Sequence, residues 1–329
     1  MNKKHEKSAC CRASVIKFGN RRRQCVKCRK TWSVWKKRRG RKRKRVNEDL
    51  VQEFLNRDIA SVASLARKRN CSQSKIQKFL KRSRDLFLEK TSWGAIPKGQ
   101  LILIADAVVE IIEERWQTVY FMLVRPVSGC EAIILPPVFL KGTETVKGWK
   151  VAIDSLDQGA KERIVAIVCD GHVGLILESK WNNWLLQRCQ FHLLARIQSR
   201  RSRSKISRNT EEAKKIFEHV HLILNSRDQS TIQSSLNILE EIGWHSRSPE
   251  IRKVLAGFIN NYKSYRTCLD HPELNLPTTS NTAESLASHI GDLKRRMRGF
   301  PTLNSFTLWV TAVLKQKKKV KCQGIHQQN

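Results

Sequence analysis

From residue 47 the apolar positions recur at helical spacing, first Leu50, Val51, Phe54 and Leu55, then Val62, Leu65 and Ala66, then Ile76, Phe79 and Leu80. Ser61 and Ser72 stand where helix N-caps belong, and Arg69–Asn70–Cys71 supplies a tight break between the second and third helices. The spacing predicts a helix-turn-helix over 46–90. Residues 91–99 carry Gly94, Pro97 and Gly99 and predict a linker. Beyond it the pattern changes to strands. LILIADAVV (101–109), TVYFMLVRPV (118–127) and CEAIILPPV (130–138), with Ser128–Gly129 between the last two, predict a three-strand antiparallel meander. Helical spacing returns over 143–157, through Val146, Trp149, Val151, Ala152 and Leu156. RIVAIVCDG (163–171) predicts another buried strand, and WLLQRCQFHLL (184–194) a strand that becomes a helix near His192.

Residues 195–277 read as almost wholly helical: Ile216, Val220 and Ile223 share one face, Ile232, Leu236 and Leu239 a second, and Ile251, Val254, Leu255, Phe258 and Tyr262 a third. A last helix is expected at about 281–296, then a frayed basic tail from Lys315 to Lys321. The order of strands and helices is that of an RNase H-like α/β core. The expected organisation is a small basic module over 1–45, the helix-turn-helix over 46–90, a core formed by 100–195 and 278–312, an all-α insertion over 196–277, and a basic tail over 313–329.

Charge sharpens this picture. The 329 residues hold 63 Lys and Arg against 29 Asp and Glu, a formal net charge of +34. Such an excess repels itself in a compact protein unless a polyanion is at hand, and nucleic acid is the polyanion whose binding releases counterions. Residues 1–45 alone hold 20 basic residues and one acid, Glu6, as a docking arm would. The open face of the third helix carries Gln73, Ser74, Lys75, Gln77, Lys78, Lys81 and Arg82, which suits base edges and phosphates; an ordinary helical bundle with a basic surface is the alternative. No apolar run reaches the length of a membrane span or follows the basic start as a signal peptide would. The expectation is a cytoplasmic, nucleoid-associated protein.

Ten cysteines do not form a disulfide pattern: Cys10, Cys11, Cys25 and Cys28 cluster, and the rest are scattered. Cys25-x-x-Cys28 has the spacing of a zinc knuckle. Adjacent Cys10 and Cys11 fit one tetrahedral site awkwardly, so one of them with His5 is a possible set, and a ribbon without zinc is the competing one. Trp32 and Trp35 could pack under this ribbon.

Three carboxylates stand in settings that suit phosphodiester chemistry, where hard divalent ions need oxygen ligands. Asp106 interrupts an apolar strand, where a charge is costly unless paired or metal-bound. Asp170 ends an apolar strand before Gly171, where open α/β sheets place ligands, although a strand-end Asp also serves as a plain turn residue. Glu284 lies early in the last helix, where a carboxylate equally complements the helix dipole.

Asp106, Asp170 before Gly171–His172, Cys189-Gln190-Phe191-His192, and Asn281-Thr282-Ala283-Glu284 resemble, in that order, the Mutator-like superfamily of DDE transposases, including its bacterial insertion-sequence members. The 91 residues between His192 and Glu284 match that family's helical insertion. The resemblance covers about residues 100–310. The N-terminal cysteines resemble the zinc ribbons that begin many insertion-sequence transposases, but lack their second spaced Cys-x-x-Cys pair. The resemblance implies Mg²⁺ or Mn²⁺ as a two-ion cofactor, with Asp106 bridging both ions and Asp170 and Glu284 holding one each. Cys189 and His192 would shape the site or touch flanking DNA. His172 would contact a phosphate or serve as a polar loop residue. Arg295, Arg296 and Arg298 would line a DNA channel. One structural Zn²⁺ in the ribbon is a further expectation, as is a homodimer or higher oligomer on double-stranded DNA. Other functions open to the same residues are a DNA-binding regulator, a domesticated inactive transposase, and an RNase H-like host nuclease.

Overall fold

The computed structural model describes residues 7–33, 49–56, 60–203 and 211–322. The chain divides into two compact units, 1–46 and 47–329. In the first, β1 (Val15–Lys17), β2 (Arg22–Cys25) and β3 (Thr31–Ser33) form an antiparallel sheet in that order. Only Ser8 and Cys25 are buried among its described residues. Trp32 is half-buried. His5, Trp35 and the run 38–45 lie outside the described residues.

The second unit opens with α1 (Asp49–Leu55), α2 (Val62–Lys68) and α3 (Gln73–Lys90). Both serine caps form. Ser64 N donates to Ser61 Oγ at 3.1 Å while Ser61 N donates to Ser64 Oγ at 2.9 Å, a reciprocal cap. Lys75 N donates to Ser72 Oγ at 3.4 Å. Asn70, at φ +48°, takes the left-handed turn between α2 and α3. The third helix is longer than the sequence suggests, at 18 residues, and its second half is occupied by packing. Arg84 is buried there, with its guanidinium 5.2 Å from the Trp309 ring centroid. Leu50, Phe54, Leu80 and Phe87 share one apolar core with Trp309, Val310 and Val313, so these helices rest on the larger body.

The central sheet begins with β4 (Leu101–Ile112) and β5 (Arg115–Pro126), antiparallel from Leu101↔Pro126 to Ile112↔Arg115. Glu113 and Glu114 make the hairpin turn at φ +51° and +60°, the geometry that usually draws Asn-Gly. The expected third strand is split into β6 (Glu131–Ile134) and β7 (Val138–Lys141), both paired with β5. Pro136 and Pro137 fall at the break, where neither can donate to a ladder. After α4 (Val146–Asp154) and α5 (Gln158–Lys161), β8 (Ile164–Cys169) runs parallel to β4. Then α6 (Val173–Trp181) leads to β9 (Leu185–Arg188), parallel to β8.

The helical stretch comprises α7 (Gln190–Arg203), α8 (Glu211–Asn225), α9 (Gln229–His245), α10 (Pro249–Ile259) and α11 (Thr267–Asp270), with a 3₁₀ turn at Tyr262–Tyr265. It has a core of its own, from Ile197, Ile216 and Val220 to Leu255 and Phe258. The chain returns as α12 (Asn281–Met297). The frayed tail expected next is instead α13 (Leu303–Lys317) and β10 (Lys319–Lys321), which pairs antiparallel with β6. Phe306, Trp309, Val310, Val313 and Leu314 bury one face of α13, and this stripe holds the basic end in place.

The sheet order is β10-β6-β5-β4-β8-β9, with β7 beside β5. Ile102, Ile104, Ala166 and Val168 share a core with α12 and α13, while Leu103, Ala105, Ile167 and Cys169 share another with Trp149 of α4 and Leu175 of α6. The sheet is thus the middle of three layers. Arg125, fully buried in β5, donates to Cys322 O at 3.1 Å and Asn275 O at 2.6 Å, fastening the residue after β10 and the approach to α12 to the sheet. Among the described residues no helix is long and apolar enough to cross a membrane.

Candidate active site

Register brings the two aspartates together. In the parallel pair β4–β8, Ile104 lies opposite Val168. Two residues further along each strand come Asp106 and Asp170, on the face that Ile104 and Val168 share. Asp106 still has a ladder partner, Phe121 of β5, whereas Asp170 has just left its strand. Asp106 Oδ1 accepts from Ala107 N at 2.8 Å, and Asp170 Oδ1 from His172 N at 2.8 Å. Burial pushes the Asp106 carboxyl up to about 7. Its own backbone hydrogen bond and the charge of His192 oppose that rise, while the negative charges of Asp170 and Glu284 add to it. The four groups therefore act on one another across a single small region.

Glu284 comes from the first turn of α12, whose Ala283, Leu286, Ile290 and Leu293 are buried against the same sheet face. Its Oε1 is buried without a hydrogen-bond partner. His192 Nδ1 is 3.2 Å away, near enough for charge pairing although the ring N–H is not aimed at it. A carboxylate oxygen left bare in a partly buried cluster of acids suits a cation.

Cys189 and His192 fix where α12 begins. Cys189 N donates to Cys169 O at 2.7 Å, and Gln190 N to Thr278 O at 2.9 Å. Ser280 N donates to Cys189 Sγ at 3.2 Å, and Ser280 Oγ lies 3.4 Å from His192 Nδ1. The start of α7 is thus tied on one side to β8 and on the other to the segment that leads into Glu284. Burial pushes the Cys189 thiol up, but hydrogen bonds with His192 and Ser280 outweigh it and hold the thiol below its ordinary range. The hydrogen bond with Cys189 raises His192 to about 9, against the opposing effect of burial. The Cys189, His192 and Glu284 ligand atoms lie within 4.8 Å of one another, a set that could also hold a metal ion. The Cys189 sulfur is already engaged by two donors.

His172 caps α6: its Nδ1 accepts from Gly174 N at 3.0 Å. Next to it stands a fourth carboxylate that the sequence reading passed over. Glu144 Oε1 accepts from Trp149 Nε1 at 2.6 Å and lies 3.8 Å from His172 Nδ1. Burial raises its pKa, the Trp149 and His172 interactions oppose this, and Asp170 adds to it. One residue before a helix N-cap, an acid carries no signal beyond the helix dipole. Arg188 was also passed over, and no strand-end pattern marks it.

The helix-face residues Lys75, Lys78, Lys81 and Arg82 are all exposed on α3. The arginines after Glu284 are placed differently from one another. Arg295 is exposed beside Asp292, and Arg298 caps α12 in the left-handed conformation at φ +60°. Arg296 stacks 4.8 Å from the Phe54 ring centroid and donates to Phe54 O, so it serves the packing of α12 on α1.

In the N-terminal unit the thiols of Cys10, Cys11, Cys25 and Cys28 all lie within 4.8 Å of one another. The adjacency of Cys10 and Cys11 does not keep either out of the cluster, and Cys10 Sγ is 3.4 Å from Cys28 Sγ. The backbone hydrogen bond at Cys28, helped by the Ser8 hydroxyl, lowers Cys25 to about 6 against burial. Hydrogen bonding to Cys28 raises Cys11 to about 12. Four thiols at this separation could hold one Zn²⁺.

No curated protein matches this chain. The family model for the Mutator family of transposases matches residues 105–321, a span that runs from β4 to β10 and includes Asp106, Asp170, Cys189, His192 and Glu284. The chain belongs to the Mutator family of transposases.

Proposed function

We propose that this transposase cuts and rejoins DNA at a DDE site made of Asp106, Asp170 and Glu284. The observation that carries the reading is the arrival of three carboxylates, from just past the parallel-paired stretch of two strands and from one helix, on one sheet face, with Glu284 Oε1 buried and accepting no hydrogen bond. The sheet, with its long antiparallel β4–β5 pair beside parallel β8 and β9, supports an RNase H-like core over 100–195 and 278–312, interrupted by the helical insertion 196–277.

Asp106 would hold two ions, and Asp170 and Glu284 one each. Bound there, Mg²⁺ or Mn²⁺ supplies the Lewis acidity that activates water or a 3′-hydroxyl and stabilises the departing oxygen. The chain's own groups hold that arrangement in place. Cys189 keeps the His192 imidazole charged, and His192 Nδ1 stands 3.2 Å from Glu284 Oε1. Ser280 ties the same motif to the start of α12 and so orients Glu284. Water attacks first to nick the element end, and the freed 3′-hydroxyl then attacks target DNA at the same site.

The exposed cations of α3 and the basic N-terminal unit would bind the element ends, and coupling two ends calls for a dimer or higher oligomer. The thiol cluster would hold a structural Zn²⁺. The natural setting is the nucleoid.

Strand cleavage of a duplex carrying the DNA that flanks the gene, with Mg²⁺ or Mn²⁺, tests the reading against Glu284→Gln. The variant should bind the duplex and leave it intact. Undiminished cutting by the variant would refute the assignment.

A further inference from the structure

A cavity of about 440 Å³ opens at the end of β9, between α7, α10 and the Tyr262–Tyr265 turn. Arg188, Arg196, Arg200 and Lys253 line it, with Glu250 the one carboxylate. Glu250 pairs with Arg200, which leaves three cations facing the space without an acid in its wall. Arg188 is the unusual member. It is 7% exposed, its guanidinium lies 4.7 Å from the Tyr265 ring centroid, and its Nε is buried with no hydrogen-bond partner. A buried guanidinium is costly unless an anion lies close to it.

The cavity adjoins the carboxylates. Arg188 is the register partner of Cys169, the residue before Asp170. Its guanidinium fills the space beside Gly171, where an added Cβ would come within 2.3 Å of Arg188 Nε. On α7, His192, Arg196 and Arg200 follow at four-residue steps, so the cavity continues the stripe that begins at the site. One such step is about 6 Å.

We propose that this cavity takes a backbone phosphate of the DNA strand flanking the scissile phosphate, with the buried Arg188 as its floor and the exposed Arg196 and Lys253 as its walls. The proposal rests on the DNA-cutting reading above for the identity of the strand. A planar guanidinium fork suits a phosphate, and a ring stacked against it limits its freedom.

The test is the salt dependence of duplex binding by the full-length chain, which needs no cleavage. Arg196→Ala and Lys253→Ala change exposed side chains, and Gly257→Glu adds a carboxylate to the cavity wall where an added Cβ meets nothing. Each alanine variant should reduce the slope of log affinity against log salt by about one. At about 0.1 M salt this corresponds to roughly a tenfold loss of affinity. Gly257→Glu should weaken binding at least as much. Arg252→Ala, an exposed cation of α10 that lines a different cavity, should keep the wild-type slope. Unchanged slopes in all three cavity variants, or an equal loss in Arg252→Ala, would overturn the proposal. So would selective displacement of the duplex from wild type, but not from the cavity variants, by millimolar inorganic phosphate at constant ionic strength, which would mark a small-anion site. If wild type binds in the expected way but never cleaves, the catalytic reading fails and the cavity stands on its slopes.

Discussion

Two thiol-bearing clusters in this chain could each hold a metal ion, and they are built in opposite ways. Cys25 ends a four-residue strand and Cys10, Cys11 and Cys28 lie in turns, with only Ser8 and Cys25 buried among the described residues of that unit. Cys189, His192 and Glu284 sit where a strand, two helices and a buried sheet converge. A module whose described residues bury so little apolar surface needs another source of stability, which a bound metal would supply. The second cluster is held by the core and by Ser280, so its geometry persists without an ion. The first site would then be structural and soft-ligated. The second would orient Glu284 for carboxylate chemistry beside Asp106 and Asp170.

The largest expected effect follows from that contrast. Stripping zinc with a chelator, or Cys25→Ser, should abolish the folded signature of the N-terminal unit while the larger unit keeps its melting transition, as followed by amide chemical-shift dispersion. Persistence of the ribbon signals in metal-free protein would put the structural role in doubt. For the second cluster, Cys189→Ala or His192→Ala should leave the fold intact and lower strand cleavage by about 10–100-fold, the usual cost of losing a group that orients a ligand. A loss of global stability instead would make the pair a packing element.

On α3, Lys78→Ala should lower the salt slope of duplex binding by about one without altering cleavage of bound DNA. The smallest effect concerns pH. Burial raises Asp106 to about 7, and a carboxyl raised on folding takes stability away as pH climbs from its unfolded value near 4 through 7. His192, raised to about 9 by Cys189, contributes stability below about 6.5 that is lost as pH rises through 9. Metal-free protein should therefore lose stability from these groups between about pH 4 and 9. Added Mg²⁺ should restore more of it at pH 8 than at pH 5, because protons compete with the ion at Asp106. Thermal melts at both pH values, with and without Mg²⁺, check this.

The contrast also explains what could be read from the sequence. Asp106 and Asp170 stand out in the sequence because each breaks or ends an apolar strand, and a charge in that setting demands a reason. The helices over 211–259 were legible from their three apolar faces. The Glu113–Glu114 turn was not, since its residues lack the Gly or Asn that marks such turns. Neither was β10, a run of Lys-Val-Lys whose strand state comes from pairing with β6. Glu144 and Arg188 were hidden because their environments arise from tertiary contacts, with Trp149 and His172 in one case and Tyr265 in the other. The lie of α3 against Trp309 was hidden for the same reason.

The most direct measurement is strand cleavage by Asp170→Asn beside wild type, on a duplex carrying the element's own ends, with Mg²⁺ or Mn²⁺ and with binding measured in parallel. The substitution keeps the side chain's size and removes its charge. Binding should be equal and cleavage should fall at least about a thousandfold, which corresponds to roughly 4 kcal/mol of lost transition-state stabilisation. Equal cleavage by both proteins would contradict the DDE assignment.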